Sequence, residues 1–466
     1  MRKIVLILLP LMLSACATRG SLQVECRGFT ETDQGQPAFR RPLPLTDLEK
    51  QIRESDADMP LGPGQTESGL MTRAYEAYSK ALIREKLHVD DPLMDETRPG
   101  RPAILLLSGG GQWGAFGAGF LSGLAEKGQL PNFFIVTGVS TGSMQAMFVG
   151  TEDKDRWSWL TKAYTIKKEK ELVDRNPQMM AILTGSFAGL KPLQRKIKET
   201  LCPPEDAGKE IPCPGIEALK NSERQILVGF VEANSGEFYY TDMKEIAQGT
   251  DTDNALACIT GATLASSAMP VTFQQVRIGK RAYYDGGVRQ SVFATTVEMV
   301  ARLVSANFPG QSKEMDVPLY VVRNGPTNLI DGEGNDKADK SPAAFTAAER
   351  AQQIVTNQLE VGSIAALRLQ KPRGDINFVS AKGWEDFRIT PTVGKYKGQE
   401  VSCHDIRGAM DGRLFDPAFM ECMRAFGRAK ALSAKPWIKL KDQKVDSEGQ
   451  PQDFSPESLP MPANDN

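Results

Sequence analysis

The sequence predicts an α/β fold, a three-layer α/β/α sandwich around a largely parallel central sheet, from the order of its strand-like and helix-like segments. Two continuous apolar runs, AILLLS at 103–108 and FFIVTGVS at 133–140, are typical of strands covered on both faces, and a helix-like stretch follows each. Further strands are predicted at 226–243 (two strands and a turn), 317–325 and 375–381, with a long amphipathic helix at 343–370. In such sheets, ligands bind at the carboxyl ends of the strands.

The first residues have the shape of a secretory signal, because Arg2 and Lys3 precede a short apolar core at 4–13 that is too short to span a bilayer. The signal segment ends in LSAC at 13–16, which resembles the lipobox of bacterial lipoproteins and implies a lipid anchor on Cys16. Similarity to lipoprotein sorting, with Ala17 next in the chain, favours the outer membrane, facing the periplasm. A cleaved signal in which Cys16 is incidental remains the alternative.

Without Cys16, an even number of cysteines remains, and in an exported protein some of them are expected to pair. The six are Cys26, Cys202, Cys213, Cys258, Cys403 and Cys422. Six cysteines allow 15 connectivities, and the sequence does not choose among them. A local Cys202–Cys213 pair is one possibility, and a buried free thiol at Cys258 is another.

The sequence divides into four segments: a predicted lipoprotein signal at 1–16, a polar tether with one helix at 17–100, a main α/β domain at 101–432 and a tail at 433–466 that is predicted to be disordered. The formal net charge is -2 and the isoelectric point is near 6.0. No basic surface for a nucleic acid partner is therefore predicted.

The first strand leads into SGGGQWG, a glycine-rich turn with three possible roles. A dinucleotide site would need an acidic residue at the end of the second strand, and a P-loop would need Lys-Ser or Lys-Thr after the last glycine. Neither is present, since the second strand ends at Ser140 and Gly114 is followed by Ala115 and Phe116. An oxyanion hole remains, formed by the backbone N–H groups of Gly109, Gly110 and Gly111.

The second strand ends in GVSTG, the pattern of a nucleophile elbow with Ser140 at its tip. Gly138 and Gly142 flank the serine, where small residues avoid a clash with the neighbouring backbone. A glycine-rich helix start without a catalytic role is the alternative, but the glycine turn one strand earlier favours a nucleophile.

A base for Ser140 is predicted at Asp285, which follows a strand-like aromatic run and precedes Gly286 and Gly287. An ordinary aspartate is a weak base toward a hydroxyl, but burial raises its pKa and makes it a better one. Asp285 could instead be a structural turn residue. The chain has only two histidines, His88 and His404.

GGGQWG, GVSTG and DGG, in this order, resemble the three signatures of patatin-like phospholipases, lipid acyl hydrolases with a Ser–Asp dyad. TGATLASSAMPVTFQQVRIGKRAYYDGG and LFDPAFMECMRAFGRAKAL resemble the family's segment before the aspartate and its closing helix, so the resemblance covers roughly 101 to 432. Trp113 departs from the family, which usually has Arg or Lys in the glycine turn.

The resemblance implies a patatin-like fold, with Ser140 as the nucleophile and Asp285 as the general base. It also implies a phospholipid or other acyl-lipid substrate, cleaved by a phospholipase A, lysophospholipase or esterase reaction without a metal or organic cofactor. Two alternatives stay open. One is an α/β-hydrolase triad of Ser140, Asp285 and His404, and the other is a non-catalytic envelope lipoprotein that kept the fold.

Overall fold

The computed structural model of the chain describes residues 20–29, 39–43, 73–74, 76–82, 102–151, 157–176, 185–292, 317–329, 344–370, 375–410 and 412–440. Cys16, His88 and the chain beyond residue 440 lie outside the described residues.

The strands are β1 (Ser21–Val24), β2 (Arg40–Pro42), β3 (Ala103–Leu107), β4 (Phe133–Val139), β5 (Asp174–Arg175), β6 (Ser186–Gly189), β7 (Gln225–Glu232), β8 (Phe238–Asp242), β9 (Val271–Phe273), β10 (Gln275–Ile278), β11 (Arg281–Asp285), β12 (Leu319–Val322), β13 (Ile376–Val379), β14 (Arg388–Ile389), β15 (Val401–Ser402) and β16 (Ile438–Lys439). The helices are α1 (Gly114–Glu126), α2 (Thr141–Gly150), α3 (Trp157–Ala163), α4 (Lys191–Leu201), α5 (Pro214–Asn221), α6 (Met243–Gly249), α7 (Thr252–Ser266), α8 (Ala344–Gln370), α9 (Cys403–Gly408) and α10 (Pro417–Ala431). Residues 73–74 and 76–82 are also helical.

Eleven of the described strands form one sheet, whose five middle strands run parallel in the order β7, β4, β3, β12 and β13. Antiparallel strands flank them, with β8 and β11 paired to β7, and β16 paired to β13. The predicted α/β class and the largely parallel centre of the sheet are confirmed. The predicted strands at 103–108, 133–140, 226–243, 317–325 and 375–381 all contribute to this sheet.

Helices cover both faces of the sheet. Leu105 and Leu107 of β3 share an apolar core with α1, α2, α7 and α10. Ile104 and Leu106, which point the other way, pack with α8 and with the helical residues 73–82 that are described. Because both faces are buried, the middle strands are continuous apolar runs rather than alternating ones. Helices on one face, the sheet and helices on the other face therefore form the three predicted layers.

Glycines allow α1 and α10 to pack backbone against backbone. A Cβ on Gly119 would lie 2.0 Å from the Arg424 carbonyl oxygen, and one on Gly427 would lie 2.0 Å from that of Phe116. The amino terminus of α10 is capped by Asp416, whose carboxylate accepts a hydrogen bond from Phe419 N at 2.9 Å. This helix lies where the closing helix is predicted.

The sheet extends into both segments for which composition predicts a tether or a disordered tail. Leu22 and Val24 are buried on β1, which pairs with β10, and β2 pairs with β8. At the other end of the chain, Trp437 packs edge-on against Phe120 and Tyr320, and β16 follows it. Short runs of alternating residues inside polar segments are a weak signal, because partner strands rather than local propensity stabilise them.

The six described cysteines form three disulfides, Cys26–Cys258, Cys202–Cys213 and Cys403–Cys422. The local pair that spacing allowed is present. A free thiol at Cys258 is not, because β1 brings Cys26 onto α7 from 232 residues away in the sequence. Three bridges are typical of a protein that folds in an oxidising compartment.

All six cysteines are therefore expected to be unreactive toward a thiol probe in denatured, non-reduced protein, and to react after reduction. Mass spectrometry of protein isolated with thiols trapped would count the modified residues. Full reactivity before reduction would contradict the three bridges.

None of the helices within the described ranges combines the length and the apolar character required to cross a bilayer.

Candidate active site

Ser140 lies at the tip of a strained turn between β4 and α2. Its φ of 55° places a non-glycine residue in the left-handed region, which is uncommon and costs energy. The turn is tight: a Cβ on Gly138 would lie 2.2 Å from the Gly142 carbonyl oxygen, and one on Gly142 would lie 2.4 Å from that of Leu107. The two glycines therefore permit the turn, and the geometry is that of a nucleophile elbow.

Two serines fix the backbone of this elbow. Ser140 N donates to Ser266 Oγ at 2.8 Å, and that hydroxyl donates to the Gly229 carbonyl at 2.6 Å. Ser143 donates to the Ser140 carbonyl from both its backbone N and its hydroxyl. Ser266 comes from α7, in the segment that resembles the family's segment before the aspartate, and the sequence gives it no role. Because these bonds use backbone groups of Ser140, its side-chain hydroxyl remains available for chemistry.

Asp285 meets the elbow at a junction between strands. One side of β7 has two partner strands in succession. Its first part pairs with parallel β4, up to Val139 opposite Gly229, and its last part pairs with antiparallel β11, where Asp285 lies opposite Phe230. The consecutive residues Gly229 and Phe230 thus face Val139 and Asp285. The end of β4 and the end of β11 therefore meet, and Ser140 and Asp285 lie side by side at the predicted edge of the sheet.

The Asp285 carboxylate is fully buried. Gly287 N donates to its Oδ1 at 2.8 Å, while Oδ2 has no partner with full hydrogen-bonding geometry among the described residues. Burial raises the pKa of Asp285 to about 7; hydrogen bonds from Ser140 and Gly287 lower it, and the negative charge of Glu360 raises it. The Ser140 hydroxyl therefore interacts with the carboxylate, but loosely, as is common in sites without substrate.

The glycine turn packs directly against Ser140, since a Cβ on Gly109 would lie 3.3 Å from Ser140 Cβ. Gly110 and Gly111 have φ values of 145° and 56°, which suit glycine, and a Cβ on Gly110 would collide with Asn324 O. Gly109 N donates to Ser291 Oγ at 3.1 Å. Within the described part of the chain, the N–H groups of Gly110 and Gly111 have no hydrogen-bond partner. The N–H groups that remain available to bind an oxyanion are therefore those of Gly110 and Gly111, whereas the N–H of Gly109 holds the turn in place.

A buried amide pair supports this turn from below. Gln145 Nε2 donates to the Gly114 carbonyl and to Asn324 Oδ1, at 2.7 and 2.9 Å. Asn324 Nδ2 donates in turn to the Ser108 carbonyl at 2.7 Å. Both amide side chains are almost fully buried. A loosely placed loop would leave these groups unpaired at a cost, so the network favours one conformation of the glycine turn.

The remaining predicted glycines are explained by close contacts. A Cβ on Gly114 would lie 2.0 Å from Thr141 Oγ1, and one on Gly286 would lie 2.9 Å from the Gly229 carbonyl oxygen. At Gly287, a Cβ would lie 3.1 Å from Asp285 Oδ1, on the side where its N–H caps the carboxylate. These residues shape the site and place no side chain in it.

Trp113 points away from the oxyanion position, into an aromatic cluster. Its ring packs edge-on against Trp384 and Phe419, with centroids 5.1 and 4.9 Å apart. The Arg407 guanidinium lies over the same ring, 5.3 Å from its centroid. Trp113 therefore anchors the glycine turn to α10 and leaves the backbone of the turn unobstructed.

His404 is exposed on α9, with its ring 6.4 Å from that of Trp384. It is not among the groups that act on Asp285. The structure thus brings Ser140 and Asp285 together and leaves His404 outside this pair, which argues against the triad. Within the described ranges, no group of three or more His, Cys, Asp or Glu side chains is arranged to bind a metal ion.

Residues 105–297 match the family model of the patatin-like phospholipases. The resemblance predicted from the three motifs is confirmed over this range, which contains Ser140 and Asp285. No curated protein matches the sequence. Among solved structures, VipD from Legionella pneumophila aligns over 70% of this chain and 67% of that chain, with 14% sequence identity and a TM-score of 0.30. The family match supports lipid acyl hydrolysis.

Proposed function

We propose that the protein is a serine lipid acyl hydrolase that cleaves fatty-acyl esters through an acyl-enzyme, with Ser140 as the nucleophile and Asp285 as the general base. The observation that carries this proposal is the strand junction. At this junction a serine with a strained backbone lies beside a fully buried carboxylate whose pKa is raised to about 7. An aspartate with that pKa can exchange a proton with a hydroxyl near neutral pH.

In the first half of the reaction, the Ser140 hydroxyl transfers its proton to Asp285 while its oxygen attacks the ester carbonyl carbon. The tetrahedral oxyanion accepts hydrogen bonds from Gly110 N and Gly111 N, which need no rearrangement because the turn is already formed. The bond to the leaving alcohol then breaks, and the alcohol oxygen takes the proton from Asp285. The products are a free alcohol and an ester of Ser140.

The second half repeats this chemistry with water. A water molecule gives a proton to Asp285 as its oxygen attacks the acyl carbon of the Ser140 ester. The oxyanion again lies against the amides of the glycine turn. When the bond to Ser140 Oγ breaks, that oxygen recovers the proton from Asp285, and the fatty acid leaves. No step requires a histidine.

Acyl esters of phospholipids are the proposed substrate class, because the family that matches residues 105–297 acts on them. Purified protein lacking residues 1–16 would be incubated with phosphatidylcholine, lysophosphatidylcholine and p-nitrophenyl esters of increasing chain length. Release of fatty acid from the lipids supports the proposal. Release from one acyl position of phosphatidylcholine would indicate a phospholipase A, and release from lysophosphatidylcholine alone would indicate a lysophospholipase. Absence of hydrolysis, together with absence of labelling by a fluorophosphonate, would refute it.

The pKa of Asp285 predicts the pH dependence of the reaction. The base must be ionised to accept the proton, so kcat/KM is expected to fall as pH decreases through about 7. Initial rates with p-nitrophenyl butyrate in constant ionic strength would define this acid limb. A rate that stays constant down to pH 5 would contradict a buried aspartate as the base.

We also propose that Cys16 is lipidated and anchors the protein to the outer membrane, facing the periplasm. The LSAC sequence after a charged start and a short apolar core supports this, as do three disulfides, which suit an exported protein. Wild type is expected in the membrane fraction, and Cys16→Ser is expected in the soluble fraction or as unprocessed precursor. An unmodified, soluble wild type would contradict the anchor.

A further inference from the structure

A buried ion pair and a serine connect helix α8 to the glycine turn. Glu360 on α8 accepts a hydrogen bond from Ser291 Oγ at 2.9 Å, and its other oxygen lies 3.0 Å from Arg323 Nη2. Ser291 Oγ in turn accepts from Gly109 N at 3.1 Å. Ser291 is fully buried, and Arg323 and Glu360 are only 4% and 5% exposed. The path thus runs without solvent from an arginine to the backbone beside the nucleophile.

The donors around Glu360 favour its ionised form and oppose the effect of its burial. A serine hydroxyl has one hydrogen, and because Ser291 Oγ accepts from Gly109 N, that hydrogen is free to point to Glu360. Both carboxylate oxygens are therefore met by donors, one from Ser291 and one from Arg323. Burial raises the pKa of Glu360, while the Arg323 guanidinium and the Ser291 hydroxyl lower it. With a donor on each oxygen and a guanidinium at 3.0 Å, we take the carboxylate as ionised, because burial of the charge without such partners would be costly. Arg323 is fixed further by Asn357 Oδ1 at 2.7 Å and by the Pro326 carbonyl.

We propose that Ser291 and Glu360 are positioning residues for the reaction. Ser291 holds the Gly109 N–H on its own hydroxyl, so that Gly110 N–H and Gly111 N–H are the donors presented to the oxyanion, and Glu360 places a negative charge near the Ser140–Asp285 pair. This inference rests on the proposed function. Neither residue touches the reacting atoms; they act through Gly109 and Asp285.

The surroundings of Asp285 make Glu360 the charge that matters there. A Cβ on Gly109 would lie 3.3 Å from Ser140 Cβ and 3.6 Å from Glu360 Oε1, so the Glu360 carboxylate lies close to the serine that Asp285 contacts. Among the described charged groups, it is the negative charge of Glu360 that raises the pKa of Asp285. Glu232, further along β7, accepts hydrogen bonds from Asn234 N and Ser235 N. Arg289, after the turn, donates to the Gly236 carbonyl and pairs with Glu237. Since these two are engaged elsewhere, removing the charge of Glu360 should make Asp285 easier to ionise.

The experiment compares Ser291→Ala, Glu360→Gln and a control, Glu245→Gln, by steady-state kinetics on p-nitrophenyl butyrate across pH. Glu245 also pairs with arginines, Arg41 and Arg73, but it lies on α6, next to β8, away from the junction. Ser291→Ala is expected to lower kcat about tenfold, the effect of one lost hydrogen bond, with KM nearly unchanged. Glu360→Gln is expected to move the acid limb to lower pH, and Glu245→Gln to change neither quantity.

A general loss of stability would lower activity without moving the acid limb, so the pH profile separates positioning from folding. If Glu360→Gln does not fold, the Ser291→Ala variant, which keeps the ion pair, tests the inference: a lower kcat with a nearly unchanged KM supports it, and an unchanged kcat contradicts it. If the wild type is active and the folded Ser291→Ala and Glu360→Gln variants have its kcat and its acid limb, this inference is wrong and the proposed function is unaffected. A wild type that neither hydrolyses any ester nor reacts with a fluorophosphonate would overturn the proposed function and this inference with it.

Discussion

Ser140→Ala is expected to reduce ester hydrolysis by roughly four orders of magnitude or more, because it removes the atom that forms the covalent intermediate. What remains would be the contribution of the oxyanion amides to direct attack by water. The fold should survive, since the backbone bonds from Ser140 to Ser266 and Ser143 do not involve the missing hydroxyl. Rates on p-nitrophenyl butyrate and labelling by a fluorophosphonate would both be measured.

Ser122→Ala is the matched control for this substitution. Ser122 is also buried, lies on α1, and its hydroxyl has no hydrogen-bond partner among the described residues. The control is expected to keep wild-type rates and labelling. A folded Ser140→Ala protein that still hydrolyses esters or still reacts with the fluorophosphonate would show that the nucleophile lies elsewhere.

Asp285→Asn is expected to cost on the order of a hundredfold or more in kcat, because an amide has the shape of the carboxyl group but cannot accept the proton. His404→Ala is the comparison, since His404 would be the base of a triad. It is exposed on α9, and its loss is expected to leave most of the activity. Loss of activity in the histidine variant with survival in the aspartate variant would replace the dyad by the triad.

The same aspartate variant offers a second readout in stability. Asp285 has a folded-state pKa of about 7, above its ordinary value of 3.8, so the native state favours the protonated form. Such a group contributes stability below pH 3.8 and loses that contribution as pH rises through 7. At pH 8 the buried charge therefore destabilises the native state. Asp285→Asn is expected to melt at a temperature no lower than wild type at that pH, by scanning calorimetry.

The sequence points to Ser140 and Asp285, the two proposed reacting residues, because each lies in a local pattern with a physical cause. Ser140 needs small neighbours for its turn, and Asp285 needs glycines that let its carboxylate be capped from the backbone. The middle of the sheet is predicted for the same reason, since apolar runs covered on both faces are visible over a few residues.

What the sequence does not predict are the contacts made across long separations. Ser266 and Glu360 on helices, and Ser291 and Asn324 in loops, carry no local signal, because a polar residue has the same local pattern whether it faces solvent or a buried partner. The junction where β4 and β11 meet along β7 depends on strand order, which local periodicity does not determine. Gly109 is an example: its N–H is predicted to face an oxyanion together with those of Gly110 and Gly111, but it donates to Ser291 Oγ, a contact that the sequence does not reveal.

The early start of β1 sets a limit on how far the enzyme could range. Four residues, 17–20, separate Cys16 from Ser21, and even a fully extended chain from Cys16 to Ser21 spans at most about 18 Å. The Cys26–Cys258 bridge then joins the same strand region covalently to α7. With a diacylglyceryl group on Cys16, the folded domain would stay next to the membrane leaflet that holds the lipid, too close to that surface to reach a facing membrane.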